Sequence, residues 1–117
     1  MPRFVVLEHD HPTLHWDFML EWGTSLRTWR LDRIPAEAAT LNAVALPDHR
    51  LVYLDYEGPV TRNRGSVARV ASGTFEVLSG TSDSLTVRLS GELLSGVAIV
   101  TSADSGSFEW QPLVTRQ

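Results

Sequence analysis

The sequence contains no cysteine and no long apolar segment among its 117 residues. Without thiols the chain has neither disulfide bridges nor thiolate-metal sites, so histidine and carboxylate side chains must hold any bound metal. No apolar run approaches the ~20 residues that a membrane-spanning helix needs. The opening segment, residues 1–6, is too short in its apolar part and too soon charged for a signal peptide. We therefore expect a soluble, cytoplasmic protein that does not bind a membrane.

Basic residues are also few. Lysine and arginine together number 10 against 14 acidic residues, which gives a formal net charge of −4. This balance argues against broad electrostatic binding to a nucleic-acid backbone, but it allows a compact site that holds one phosphate through a metal and a few arginines. The length, with 43% hydrophobic residues, fits a single domain over residues 1–117 with one modest core.

Short segments with apolar and polar residues in alternation dominate the chain, and Gly or Ser-Gly pairs separate most of the later ones. Many short strands at this spacing predict an all-β, mainly antiparallel fold, either a sandwich or a barrel. The one helical candidate is residues 35–41, although a loop fits this segment nearly as well. The predicted strands are residues 3–8, 14–21, 26–31, 43–46, 51–56, 66–71, 74–78, 85–89, 97–101 and 108–114.

Two histidines and an aspartate lie close together in the first two predicted strands. Side chains alternate along a strand, so His15, Asp17 and Met19 share one face and the residues between them share the other. His9 ends the preceding strand and would meet them across the intervening turn, in which His11 is expected to face solvent. Two histidines and one carboxylate leave positions free for water or substrate, which suits a catalytic metal. The alternative is a solvated surface pair at His15 and Asp17.

A second candidate site lies in residues 48–57. As a strand, this segment would place His49 and Tyr53 on one face, two pleats apart, where both side chains have the reach to hydrogen-bond oxygens of one phosphate. The alternative is that Tyr53 is an aromatic residue at the edge of the core and His49 an exposed turn residue. The segment by itself favours this structural role.

Several motifs match those of a known family. Residues 4–9 read FVVLEH and residues 14–21 read LHWDFMLE, followed by Trp29. Residues 48–58 contain the spaced sequence DH, YLD and EG. This order resembles the 3′-phosphoesterase domain of bacterial DNA ligase D, with its F-V-V-x-x-H, L-H-x-D-F-R-L-E and D-H-P-L-E-Y-L-D-F-E-G motifs. Spaced glycines and leucines extend the resemblance, more weakly, over nearly the whole chain.

The resemblance implies a small closed or partly open β-barrel with a polar central cavity and at most one or two short helices. It implies manganese-dependent removal of a 3′ phosphate or a 3′-terminal ribonucleotide, which prepares DNA ends for ligation in non-homologous end joining. By motif match, His9, His15 and Asp17 correspond to the metal ligands, and His49 and Tyr53 to the catalytic residues that engage the phosphate. The expected cofactor is Mn²⁺, although such ligands also accept other divalent metals. The expected partners are DNA or RNA-tipped DNA 3′ ends and separate ligase or polymerase components.

The chain departs from the family pattern at several positions. Met19 stands where the family has an arginine, and methionine lacks the charged, bidentate donor that an arginine gives a phosphate. Pro47 replaces an acidic residue and Arg50 replaces a proline. The chain also starts at the first motif and shows no ligase or polymerase domain, so we expect a stand-alone version. We hypothesise that Arg62 or Arg64 folds over the cavity and supplies the missing phosphate-binding cation; the alternative is that both are solvated loop residues.

Two other functions fit the same motifs. An iron-dependent oxygenase also uses a His-x-Asp pair with a distant histidine, which would have to be His49. The C-terminal half contains no histidine, however, and the chain is short for that barrel. A module that binds phosphate or nucleic-acid ends without hydrolysis is the stronger alternative, because Met19 replaces an expected phosphate contact.

Overall fold

Nine β-strands and one 3₁₀ helix form the fold in the computed structural model, which describes residues 1–35, 39–101 and 106–113. The 3₁₀ helix, Leu51–Leu54, lies between the fourth and fifth strands. In chain order the strands are β1 (Arg3–His9), β2 (His15–Trp22), β3 (Ser25–Leu31), β4 (Ala39–Arg50), β5 (Gly58–Pro59), β6 (Ser66–Gly80), β7 (Ser84–Gly91), β8 (Ser95–Thr101) and β9 (Gly106–Pro112).

Eight of the described strands close into a ring in which every pairing is antiparallel. The order around the ring is β1-β2-β3-β4-β9-β8-β7-β6, with β6 pairing back onto β1 and the short β5 adding to β6. The ring closes because the 15-residue β6 pairs with β1 through its first half and with β7 through its second. At this crossover a Cβ on Gly73 would lie 2.2 Å from the Ser90 carbonyl oxygen, so the strands approach too closely for a side chain there. The ring confirms the predicted all-β, antiparallel, barrel-like fold.

Apolar side chains fill the interior of the ring. All eight ring strands contribute to one cluster, in which the Phe18 ring centroid lies 5.0 Å from that of Phe108 and 5.9 Å from that of Trp29. The resemblance implied a polar cavity at the centre of the barrel. The structure has no such central cavity among its described residues, because this apolar cluster occupies the centre. Its buried members are Phe4, Val6, Phe18, Leu20, Trp29, Leu31, Leu41, Ala43, Ala71, Phe75, Leu85, Val87, Leu89, Leu94, Ala98, Val100, Phe108 and Trp110.

A second apolar cluster, the outer cluster, lies on the outward face of β1 and β2. Val5, Leu7 and Met19 are each at most 1% exposed, although they alternate with residues that face the interior. The 3₁₀ helix covers them and contributes Leu54 to the cluster. Because both faces of β1 are buried, its residues 4–7 form a continuous apolar run rather than an alternating one. The outer cluster also contains Leu26 and Val67.

The helical segments differ from the sequence prediction. Residues 51–56, predicted as a strand, form the 3₁₀ helix and a turn. Residues three apart share one side of a 3₁₀ helix, so Leu51 and Leu54 both pack against the outer cluster. The helical candidate at residues 35–41 is wrong in its last part, which begins β4, and its residues 36–38 lie outside the described part of the chain. No helix among the described residues has the length and apolar character needed to cross a membrane.

Two strand boundaries also differ. The segments 66–71 and 74–78 belong to one strand, because Ser72 and Gly73 continue the pairing with β1 rather than turning. The fourth strand is longer than the predicted residues 43–46, because it pairs with β9 through its first part and with β3 through the rest. Both long strands change partner along their length, which a pattern of apolar residues does not reveal.

Candidate functional site

His9, His15 and Asp17 meet on the outward face of the β1–β2 hairpin. His9 and His15 are directly opposite in the antiparallel register, with ring centroids 4.9 Å apart, and Asp17 follows on the same face of β2. His15 Nε2 lies 3.4 Å from Asp17 Oδ1, and His9 Nδ1 lies 3.8 Å from Asp17 Oδ2. One ligand atom from each of the three side chains lies within 4.8 Å of the others. The structure thus brings together the three residues that the strand alternation predicted.

Backbone carbonyls fix the orientation of both imidazoles. His15 Nδ1 donates to the Thr13 carbonyl oxygen, and His9 Nε2 donates to the Arg64 carbonyl oxygen, each over 2.8 Å. A carbonyl only accepts, so these nitrogens carry the protons, and in the neutral rings the other nitrogens carry lone pairs. Those other nitrogens are the ones that face Asp17.

The centre of this cluster holds acceptors without a donor. Asp17 is 3% exposed, and its Oδ1 has no hydrogen-bond partner in the part of the chain that the structure describes. A buried carboxylate beside two nitrogen lone pairs is unfavourable unless a positive group joins them. Two imidazoles and a carboxylate, with a carbonyl behind each imidazole, fit a divalent cation such as manganese, iron or zinc.

The cluster opens into a cleft of about 250 Å³, which His49 and Tyr53 also line. The two rings have centroids 6.1 Å apart. The sequence predicted that the two residues share one face of a strand, and this prediction is wrong. His49 lies near the end of β4, whereas Tyr53 lies in the 3₁₀ helix. The bend between these elements brings the rings together instead. His49 Nδ1 donates to the Pro47 carbonyl oxygen over 3.0 Å, so the other ring nitrogen is the one available to a ligand.

The two loop arginines occupy different positions. Arg64 lines the cleft, but its guanidinium donates within its own loop, from Nε to the Thr61 carbonyl over 2.9 Å and from Nη2 to Thr61 Oγ1 over 3.1 Å. Arg62 lies outside the cleft, in an adjoining depression that shares His49 and Arg64 with it. Both arginine side chains are exposed. Arg64 therefore contacts the cluster through its carbonyl, and Arg62 lies at the rim.

The loop that carries Arg64 packs tightly on the β1–β2 turn. Asp10 Oδ1 accepts a hydrogen bond from the Ser66 backbone N–H over 2.8 Å. A Cβ on Gly65, whose φ is +74°, would lie 2.1 Å from Asp10 Oδ1, so both the backbone conformation and the close contact require glycine. His11, in the same turn, is partly buried and lines the cleft mouth rather than facing solvent, and it is not a member of the His9 cluster.

An ion pair fixes the end of the 3₁₀ helix to β1. Arg3 Nη2 lies 2.7 Å from Asp55 Oδ1, and the same nitrogen donates to the Leu54 carbonyl over 3.4 Å. The hydrogen bond from Arg3 lowers the pKa of the Asp55 carboxyl, and its counterpart raises the pKa of Arg3. This contact holds the helix that carries Tyr53 beside the cleft.

Arg30 is a cleft residue that sequence reasoning missed. It lies on β3 directly opposite Asp17 and lines the cleft. The two-residue turn at residues 23–24 would have allowed this position to be predicted from the sequence. Such a turn pairs Trp22 with Ser25, and the register counted back along both strands places Arg30 across from Asp17.

Comparison with known proteins matches the region that forms this cleft. A family model described as the DNA ligase D 3′-phosphoesterase domain matches residues 7–102. The multifunctional non-homologous end joining protein LigD of Pseudomonas aeruginosa is 33% identical over 104 residues, which cover 80% of this chain and 12% of that protein. The similarity therefore concerns most of this chain but a small part of that relative.

Proposed function

This chain belongs to the DNA ligase D 3′-phosphoesterase domain family, and on that premise we propose that it hydrolyses phosphate esters at DNA 3′ ends. The proposed substrates are a 3′ phosphate and a 3′-terminal ribonucleotide, and the proposed cofactor is Mn²⁺ or another divalent metal. One observation carries the proposal. The acceptors of His9, His15 and Asp17 converge without a donor at a cleft that His49 and Tyr53 also line.

His9, His15 and Asp17 are the proposed metal ligands. When bound, the metal would supply positive charge to the phosphate oxygens and acidify a bound water. The Thr13 and Arg64 carbonyls already hold the two imidazoles with their lone pairs facing inward, so neither ring has to turn before it binds. The low exposure of Asp17 limits competition from water for its carboxylate.

His49 and Tyr53 are the proposed phosphate-binding and catalytic residues. The Tyr53 hydroxyl donates a hydrogen bond to a phosphate oxygen. In its imidazolium form, with both ring nitrogens protonated, His49 donates a hydrogen bond or a proton to the oxygen that leaves, through the ring nitrogen that Pro47 does not engage. The cleft, at about 250 Å³, is smaller than the roughly 300–1,000 Å³ of typical small-molecule sites. It therefore suits a terminal phosphate and its sugar, with the base outside.

A 3′-phosphorylated oligonucleotide tests the proposal. We expect phosphate release with Mn²⁺ and none with EDTA, and a loss of at least about 100-fold in His15→Ala. Arg88→Ala is the matched control, since Arg88 pairs with Glu76 on β6 outside this cleft. A His15→Ala rate equal to that of the wild type would contradict the proposal. A second oligonucleotide that ends in one ribonucleotide tests the other substrate.

A second candidate function is binding of 3′ ends without hydrolysis. Met19, which replaces the family arginine, is 1% exposed in the outer cluster and offers nothing to a phosphate. Manganese-dependent binding of the oligonucleotide without phosphate release would establish this function. The oxygenase interpretation receives no such support, because His49 is not a member of the metal-type cluster found among the described residues.

We also propose that residues 1–117 act as one domain, in the cytoplasm, and prepare DNA ends for a ligase. Support comes from the family membership, since its proposed product, a 3′ hydroxyl, is the end that a ligase joins. A nicked duplex with a 3′ phosphate should become a substrate for a DNA ligase after treatment with this protein and Mn²⁺. A nick that stays unsealed after treatment would contradict the proposed order of steps.

A further inference from the structure

Arg30 is placed beside the candidate metal site by the strand register. It lies opposite Asp17 in the β2–β3 pairing, so both side chains leave the same face of the sheet. Directly opposed residues on antiparallel strands have Cβ atoms about 4.5–5.5 Å apart. Arg30 also lines the same cleft as His9 and His15. A guanidinium that starts from this position reaches the space in front of the cluster.

The guanidinium of Arg30 has no described use in the fold. Its Nε is buried and has no hydrogen-bond partner among residues 1–35, 39–101 and 106–113. Two other arginines of the chain differ in this respect, because Arg64 donates to Thr61 and Arg3 pairs with Asp55. A buried N–H without an acceptor is unfavourable, and a phosphate oxygen would satisfy it.

We propose that Arg30 is the cation that binds the substrate phosphate, in place of the arginine that the family has at position 19. This inference rests on the proposed function of the cleft. Its planar guanidinium presents parallel N–H donors to two phosphate oxygens, which a lysine or a methionine cannot do. The phosphate then lies between Arg30 on β3 and the metal ligands on β1 and β2.

The position of Met19 is consistent with this transfer of the charge to the neighbouring strand. Met19 is buried among Val5, Leu7 and Leu26 in the outer cluster, beneath the 3₁₀ helix. Met19 also lines the cleft, where its uncharged side chain has no donor to offer a phosphate. Arg30 lines the same cleft and is not a member of the outer cluster.

Arg62 and Arg64 are less suited to the role. Arg62 is exposed and lies outside the cleft, and the Arg64 guanidinium is engaged by Thr61. Both side chains are exposed, so they would meet the DNA strand beyond the terminal phosphate. Their charges would contribute a salt-dependent, general attraction for DNA. Arg30 would instead set the affinity for the phosphate group itself.

Titration of the Mn²⁺-loaded protein with inorganic phosphate, followed by calorimetry, tests the assignment. We expect Arg30→Gln to weaken phosphate binding at least about tenfold, as loss of a charge-assisted hydrogen bond does. Mn²⁺ affinity should stay within about threefold, since Arg30 is not a ligand. Arg88→Gln should bind phosphate like the wild type. Wild-type phosphate affinity in Arg30→Gln would overturn the assignment, as would a wild-type protein that binds no phosphate.

Arg30→Lys keeps the positive charge and the apolar stem, so it decides the matter if the glutamine variant does not fold. The lysine variant should bind phosphate at least about threefold more weakly, because it lacks the planar pair of donors. Unchanged affinity would overturn the role of Arg30.

The oligonucleotide assay separates the two proposals. Phosphate binding that depends on Arg30 without phosphate release rejects the phosphoesterase function alone, and release that is unaffected in Arg30→Gln rejects the role of Arg30 alone.

Discussion

Asp17→Asn removes one negative charge from the candidate metal site and leaves the side-chain shape almost unchanged. Asp17 is 3% exposed and its Oδ1 lacks a described partner, so the carboxylate does not support the fold through a hydrogen bond at that oxygen. Without metal, we expect the variant to melt no lower than the wild type, because the substitution relieves a buried charge beside two nitrogen lone pairs. A purely structural aspartate would give the opposite result.

The expected rise in melting temperature on metal binding can be worked out from general values. A ligand at 100 times its dissociation constant stabilises the folded state by about 2.7 kcal/mol. For 117 residues, an unfolding entropy of about 2.1 cal/mol/K per residue converts this to a rise of about 11 °C in Tm. If Asp17→Asn weakens metal binding about 100-fold, the same concentration stabilises by only about 0.4 kcal/mol, a rise of less than about 2 °C.

Scanning calorimetry in EDTA and in Mn²⁺ measures both effects on one sample. Asp32→Asn is the matched control, because Asp32 is an exposed aspartate that accepts a hydrogen bond from Asn42 and does not line the cleft. The control should keep the full rise in Tm. Equal Mn²⁺-dependent shifts in Asp17→Asn and the wild type would refute a metal site at this cluster.

Three further predictions concern the support of the site. The Asp55 carboxyl has a pKa lowered from its ordinary value of 3.8 by Arg3, so the stability it contributes is complete above that value and is lost as the pH falls through the lower folded pKa. Urea unfolding of Asp55→Asn and the wild type should therefore converge in acid, and a constant difference would contradict this. Gly65→Ala should lower the free energy of unfolding at least twice as much as Gly23→Ala. Both glycines have a positive φ, which costs an alanine about 1–2 kcal/mol, but only at Gly65 would the added Cβ also clash with neighbouring atoms. Equal melting temperatures of the two variants would contradict this. Phe18→Ala should lower the free energy of unfolding by about 3–5 kcal/mol with little change in Mn²⁺ affinity, since its ring faces the interior; a parallel loss of Mn²⁺ affinity would show that the two faces are coupled.

The cluster of His9, His15 and Asp17 was predictable because the strand positions of all three residues follow from the local sequence. Alternation along β2 puts two of the residues on one face, and a short turn returns the chain beside them. Neither step needs knowledge of residues far along the chain. The same alternation puts Phe18 on the opposite face of β2 from Asp17, and in the structure that face is the interior of the ring.

Residues that depend on distant contacts were predicted less well. His49 and Tyr53 share the cleft, but the bend between them follows from packing of the 3₁₀ helix onto the outer cluster, which no local pattern indicates. The interior of the barrel was expected to be polar, whereas both faces of β1 are apolar and the polar cleft is outside. The position of Arg30 opposite Asp17 could have been predicted from the β2–β3 turn, since it follows from the strand register alone.

The two imidazoles of the cluster depend on supports of very different range. His15 is oriented by the carbonyl of Thr13, two residues away, whereas His9 is oriented by the carbonyl of Arg64, 55 residues away. The β1–β2 hairpin alone therefore fixes one imidazole, and the loop before β6 must close on the turn to fix the other. On the proposed metal site, the loop position that orients His9 would favour metal binding, and by linkage a bound metal would stabilise that loop position by the same free energy. We therefore expect substitutions that disturb this loop to weaken metal binding even though none of them removes a ligand.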